Sequence, residues 1–117
     1  MEKKNIDWEN LGFSYMETEK RYVSHFKDGA WDEGALTGDA TVALNECAGV
    51  LQYAQTIFEG LKAYTTEDGR TVTFRPDLNA ALMADSAVRL EMPVFPEKRF
   101  VEAVVQTVAA NRAYVPP

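Results

Sequence analysis

One cysteine and one histidine are all the thiol and imidazole chemistry that this 117-residue chain carries. Cys47 cannot close an internal disulfide, which agrees with a reducing compartment. His25 alone supplies too few ligands for a transition metal, and neither CxxC nor HxxxH spacing occurs, so no metal is expected. Glycine is sparse too: the seven glycines never fall in a GxGxxG or GxxxxGK[ST] arrangement, so no backbone cradle for nucleotide phosphates is present. A GxSxG elbow is missing, and a Ser/His/Asp triad would rest on the lone His25 without a supporting motif. Basic residues are outnumbered, 12 Lys and Arg against 18 Asp and Glu, giving a formal net charge of −6. Such a balance leaves no electrostatic footprint for a polyanion, and no nucleic acid is expected as a partner. No apolar run approaches the roughly 20 residues of a membrane helix, so no membrane partner is expected either. The opening MEKKNIDWEN has neither the apolar stretch nor the cleavage site of a secretory signal. A cytoplasmic location is the expectation.

What is present describes one globular domain. Hydrophobic residues make up 46% and charged residues 26%, and a chain of this length can bury about two thirds of the surface its unfolded form exposes. Two Asp-Gly pairs, Asp28-Gly29 and Asp68-Gly69, predict hairpin turns, because both residue types tolerate φ > 0. In RTVTFR, Val72 and Phe74 alternate with Thr and Arg, the period of a strand with one buried face. After Pro76 the period becomes helical. Met83, Ala87 and Leu90 share one side with Ser86 beside them, Ala84, Asp85 and Glu91 point away, and the helix stops near Pro93. A second helix follows from Pro96 and Glu97, with Phe100, Val101, Val104, Val105 and Val108 on one arc. The expected fold is α+β, an antiparallel sheet of about four to six strands with two helices packed on one face. Residues 1–112 are expected to form the domain. Residues 113–117, ending in Pro-Pro, read as the start of an extended linker.

The chemistry-bearing stretch is YAQTIFEGLKAY, residues 53–64. Lys62 is a candidate amine nucleophile only if desolvation by Phe58 and Tyr64 outweighs the charge of Glu59; the ordinary alternative is a strand lysine reaching solvent or an ion pair. Glu59-Gly60 reads as a turn closing a short helical stretch, with Gly60 left-handed and Glu59 capped by backbone groups. His25 is expected to face solvent or a hydrogen-bond partner, Cys47 to act as a small buried hydrophobe, and Trp8 and Trp31 to pack.

Taken together, LQYAQTIFEGLKAY, the DGR turn, FRPDLNA and MADSAVRLEMP resemble the amino-terminal small domain of branched-chain amino-acid aminotransferases, pyridoxal-phosphate enzymes of fold type IV. The likeness runs from about DGAWDEG to YVPP. It implies that Tyr53 and Phe58 line the pocket for a branched aliphatic side chain, with Tyr53 looking into the neighbouring subunit's site in a homodimer. Residues near Glu17 and Thr18 match a segment that approaches the substrate only loosely. The resemblance also removes Lys62 from the chemistry: the aldimine lysine lies in the larger carboxy-terminal domain, as do the tyrosine, glutamate and threonines that hold the cofactor. Catalytic residues are therefore expected to be absent from these 117 residues. The phosphate-binding arginine of the pattern NA.RM is Leu82 here, and a lost charged hydrogen bond of about 1.5 to 3 kcal/mol would weaken cofactor binding. Val88 falls on the polar helix face, where a polar or charged residue is usual.

Two readings stay open. In the first, the chain is the small domain of an enzyme that moves an amino group between Leu, Ile or Val and 2-oxoglutarate, a homo-oligomer inactive as this piece alone and binding no cofactor by itself. In the second, it is a non-catalytic, self-associating module, an isolated or engineered domain.

Overall fold

The computed structural model describes residues 2–117. Six short strands come first: β1 (Arg21–Val23), β2 (Phe26–Lys27), β3 (Ala30–Trp31), β4 (Ala35–Thr37), then β5 (Ala63–Thr65) and β6 (Thr71–Thr73). A short helix α1 (Gly49–Tyr53) separates β4 from β5, and two longer helices close the chain, α2 (Pro76–Arg89) and α3 (Glu97–Ala110). The fold is α+β, but its strands pair into three separate antiparallel ladders of two: β1 with β4, β2 with β3, and β5 with β6. A single sheet of four to six strands does not form. Helices α2 and α3 pack on each other, and α3 also crosses β1.

Both expected hairpin turns are present. Phe26 pairs with Trp31 and Lys27 with Ala30, so Asp28 and Gly29 form a two-residue loop, with φ of 53° and 82°. Positive φ at both central residues matches the right-handed twist of the flanking strands. At the second turn residues 66–70 form a longer loop in which Gly69 takes φ of 86°, and the Thr66 amide donates to the Arg70 carbonyl at 2.8 Å.

The alternation in RTVTFR is real, yet its phase is the reverse of the expectation. Thr71 and Thr73 face inward and are half-buried, whereas Val72 and Phe74 are exposed. Across the ladder Tyr64 stands opposite Val72 and is exposed as well. A period of two fixes which residues share a face but not which face meets the core.

Helix α2 starts with Pro76 at its first position, after Arg75 in a left-handed conformation with φ of 47°. Arg75 donates to both carboxylate oxygens of Asp77, at 3.0 and 2.8 Å, and this pairing holds the Asp77 carboxyl below its ordinary value. Ala80 and Ala87, each 2% exposed, are the buried side chains of α2. Small side chains one turn pair apart let the helix axes approach closely. Ala84, expected to point away, is half-buried, and Leu90 is exposed. In α3 Pro96 occupies the cap position just outside the helix. Phe100, Val101, Val104 and Val108 lie on the half-buried side, but Val105 is 59% exposed and sits beyond the edge of the expected arc.

The last residues fold back onto the body. Ala113 and Val115 are buried, the Lys4 amide donates to the Ala113 carbonyl at 2.8 Å and the Thr65 amide to the Pro116 carbonyl at 3.2 Å. Asn111, buried, mimics a missing strand: its Oδ1 accepts from the Lys20 amide at 2.9 Å and its Nδ2 donates to the Lys20 carbonyl at 2.8 Å. That pairing ties the end of α3 to the residue preceding β1.

Candidate functional site

The stretch from Tyr53 to Tyr64 leaves α1, runs as an irregular loop, and enters β5. It turns at Ala54, whose φ of 51° ends α1. Gly60 is not the left-handed residue: its φ is not positive, and Ala54 takes that role. Two side-chain anchors hold the loop against α2. Gln55 Nε2 donates to the Leu90 carbonyl at 2.9 Å, and Asn79 Nδ2 donates to Glu59 Oε1 at 2.8 Å and to the Gly60 carbonyl at 3.0 Å. Glu59 is thus held by an asparagine side chain, where backbone groups were expected. The consequence for the aromatics is exposure: Tyr53 is 86% and Phe58 89% accessible. Tyr53, the last residue of α1, and Phe58, between the two anchors, both stand bare on this stretch.

Lys62 lies one residue before β5, exposed, and none of the three ion pairs among the described residues includes it. Its side chain reaches solvent, the ordinary alternative for this residue. Leu82 is 54% exposed and Val88 66%; both edge a shallow dent of about 450 Å³ shared with Asp85, Ser86 and Arg89. The donor set of that dent is one hydroxyl and one guanidinium beside a carboxylate and two aliphatic side chains.

A polar cluster that sequence reasoning left unassigned surrounds Asp32. Its carboxylate accepts from the His25 amide at 3.1 Å, the Ser24 hydroxyl at 2.8 Å and the Gly34 amide at 2.9 Å, and meets His25 Nδ1 at 3.3 Å. These donors, the His25 amide foremost, lower the Asp32 pKa from 3.8 to about 2. His25 therefore has both a partner and solvent. In the triad logic the carboxylate orients a histidine that in turn faces the nucleophile; here Asp32 stands between serine and histidine, so the cluster shapes the segment between β1 and β4. Glu17 is exposed, and Thr18 meets the structure through its carbonyl, which accepts from Arg21 Nη2 at 3.3 Å. Cys47, expected to be buried, is exposed because the segment before α1 runs over the surface. Trp31 packs as expected, edge-on between Phe26 and Phe95 with centroids 5.3 and 5.0 Å away, and donates to the Val94 carbonyl at 2.9 Å.

No protein-family model matches the chain. Individual relatives do. A branched-chain-amino-acid aminotransferase of Haemophilus influenzae is 48% identical over 97% of this chain, and one of Helicobacter pylori is 40% identical over 97%. A methionine aminotransferase of Arabidopsis thaliana is 44% identical over the same share. The chain spans about a third of the length of these relatives, 33%, 34% and 32% in turn. Over nearly its whole length the chain is thus similar to branched-chain-amino-acid aminotransferases, at 40–48% identity, and matches a stretch about a third as long as those relatives.

Proposed function

We propose that this chain is the small domain of a branched-chain-amino-acid aminotransferase and that Tyr53 and Phe58 are its contribution to substrate recognition. The observation that carries the reading is the pair of almost fully exposed rings, Tyr53 at the end of α1 and Phe58 between the two anchors of the loop that follows. A leucine, isoleucine or valine side chain is recognised chiefly by apolar burial, about 1.5 to 3 kcal/mol for a full side chain. Two anchored aromatic walls suit that task. Amino transfer to a 2-oxo acid would draw on pyridoxal phosphate, which supplies the electron sink when bound. This chain's own residues offer it neither a buried lysine nor a phosphate cradle. The chain by itself is accordingly inactive, and its role is to complete a pocket in a homo-oligomeric, cytoplasmic enzyme.

Two measurements test this. The 117-residue chain mixed with pyridoxal phosphate and reduced with borohydride carries no stoichiometric label and transfers no amino group from leucine; a full label on Lys62 overturns the reading. Joined to the remaining two thirds of the Haemophilus influenzae relative, the chain gives an active transaminase. In that hybrid Phe58→Ala raises KM for leucine about tenfold, in keeping with the burial lost. An unchanged KM would remove Phe58 from the pocket.

The non-catalytic alternative has one observation in its favour. The accessible surface is 9068 Å², whereas a compact monomer of this mass exposes about 6,400 Å². Surface of that extent is available for self-association.

A further inference from the structure

The two Asp-Gly pairs sit in hairpin loops, and their surroundings differ at both atoms through which such a pair can react. The glycine amide nitrogen can attack the aspartate Cγ: a C–N bond forms, water leaves, and a five-membered succinimide closes. Glycine allows the approach because no Cβ shields its nitrogen. Water then opens the ring at either carbonyl. One cleavage restores aspartate; the other routes the backbone through Cγ, as isoaspartate. The water lost in the first step returns in the second, and nothing is oxidised or reduced.

At Asp68-Gly69 both reacting groups are held. The Asp68 carboxylate accepts from the Thr66 hydroxyl and, at 3.2 and 3.0 Å to its two oxygens, from Arg70 Nε. These partners, the Thr66 hydroxyl foremost, keep the carboxyl below its ordinary value. A firmly ionised carboxylate is a poor electrophile, since one of its oxygens must depart as water. The Gly69 amide is turned elsewhere, donating to the Thr66 carbonyl at 2.9 Å.

At Asp28-Gly29 neither group is held. Both residues are exposed. Among the described residues the Asp28 carboxylate joins no ion pair, and the Gly29 amide donates to no backbone carbonyl. Beyond its chain neighbours, nothing lies within 4 Å of the place a Cβ on Gly29 would take, so water reaches the ring that would form there.

The backbone favours closure as well. Asp28 already stands at φ of 53°. A succinimide fixes ψ at its aspartate near −120°, and with positive φ that is the first central residue of a type II′ turn, about +60° and −120°. Type II′ is the other turn that two-residue hairpin loops favour. Only the peptide between Asp28 and Gly29 has to rotate, carrying Gly29 to negative φ, which glycine adopts as readily as positive. Strands β2 and β3 need not part for the ring to close. Its opening to isoaspartate is another matter, because the extra backbone atom lengthens the loop. The ladder that this loop joins has two pairs, Phe26 with Trp31 and Lys27 with Ala30.

We propose that Asp28-Gly29 is a self-modification site, converting to isoaspartate in the folded protein and loosening the β2–β3 hairpin, while Asp68-Gly69 is protected. The pair lies outside the stretch Tyr53–Tyr64, so the inference stands independently of the transaminase reading.

The test ages the folded 117-residue chain at neutral pH and methylates it with S-adenosylmethionine and an isoaspartyl carboxyl-methyltransferase, which leaves ordinary aspartate alone. Cleavage at Lys62 places the two pairs on separate tryptic peptides. The peptide holding Asp28 is expected to gain label several-fold faster than the one holding Asp68, and Asp28→Ser to abolish the first label alone. In urea, where the fold's restraints are gone, the two pairs are expected to label at similar rates. Thr66→Val combined with Arg70→Gln frees the second pair and raises its label several-fold in the folded chain; should that variant not fold, the urea comparison decides. No label at Asp28, equal label at both pairs in the folded chain, a contrast that persists in urea, or a second pair that stays inert once freed each overturns the proposal.

Discussion

Asn79 holds the aromatic loop in place with a single amide, donating both to Glu59 and to the Gly60 carbonyl. Asn79→Ala removes both bonds and is expected to lower stability by about 1 kcal/mol in a urea titration, with faster amide exchange over residues 56–61. Unaltered exchange there would show that Gln55 suffices. Asp32 gives a pH signature. Its folded pKa, about 2, lies below the ordinary 3.8, so its contribution is complete above pH 3.8 and is lost as pH falls from there through about 2. Asp32→Asn should flatten that part of the acid-denaturation curve and leave its neutral arm unchanged in shape. At this scale the sequence was only partly readable. FRPDLNA displays Asn79 openly, yet a lone polar residue on a helix announces no partner. The ring cluster of Tyr53, Phe58 and Tyr64 marks an unusual stretch, but the assignment of Tyr53 and Phe58 to a pocket rests on the family resemblance and stays a proposal. The Asp32 cluster was hidden, since its donors are mostly backbone amides whose direction depends on the turn.

Among elements, the turns were the most legible. Asp28-Gly29 has to adopt positive φ at both residues, which only a few residue types tolerate, so chemistry and geometry agree. Gly29→Ala should cost about 1 kcal/mol, read as a lowered Tm, since a Cβ is strained at that conformation. Helix spans were legible within a few residues, but not all their faces. Val105 and Leu90 turned outward because the buried stripe of each helix is narrower than its apolar stripe. The β6 strand illustrates the deeper limit: apolar Val72 and Phe74 are exposed while Thr71 and Thr73 are half-buried. Alternation is a local property, whereas the choice of face is made by whatever covers it. Ala87 tests the packing of α2 on α3. Ala87→Leu, at a site 2% exposed, should destabilise by about 1–3 kcal/mol through overpacking, measured by thermal unfolding.

Over the whole molecule the chain is more open than its length requires. Its radius of gyration is 15.8 Å, against about 13.4 Å for a compact domain of this size. Its exposed surface corresponds to burying about half of the unfolded chain's area, where about two thirds was expected. Large hydrophobics remain outside, among them Phe58, Tyr64, Phe74 and Leu82. Light scattering in the presence of reductant, which keeps Cys47 from cross-linking, is expected to give a mass above the 13.1 kDa of one chain at high concentration. A clean monomer throughout would remove the self-associating reading. Trp31 supplies the means of watching the molecule open. Its indole is clasped edge-on by Phe26 from β2 and by Phe95 just before α3. An asymmetric aromatic sandwich of this kind gives optical activity in the near ultraviolet that helix backbone does not. The departure of the β2–β3 hairpin from the helices would therefore extinguish that band while the far-ultraviolet signal persisted, separating loss of tertiary contact from loss of helix in one sample.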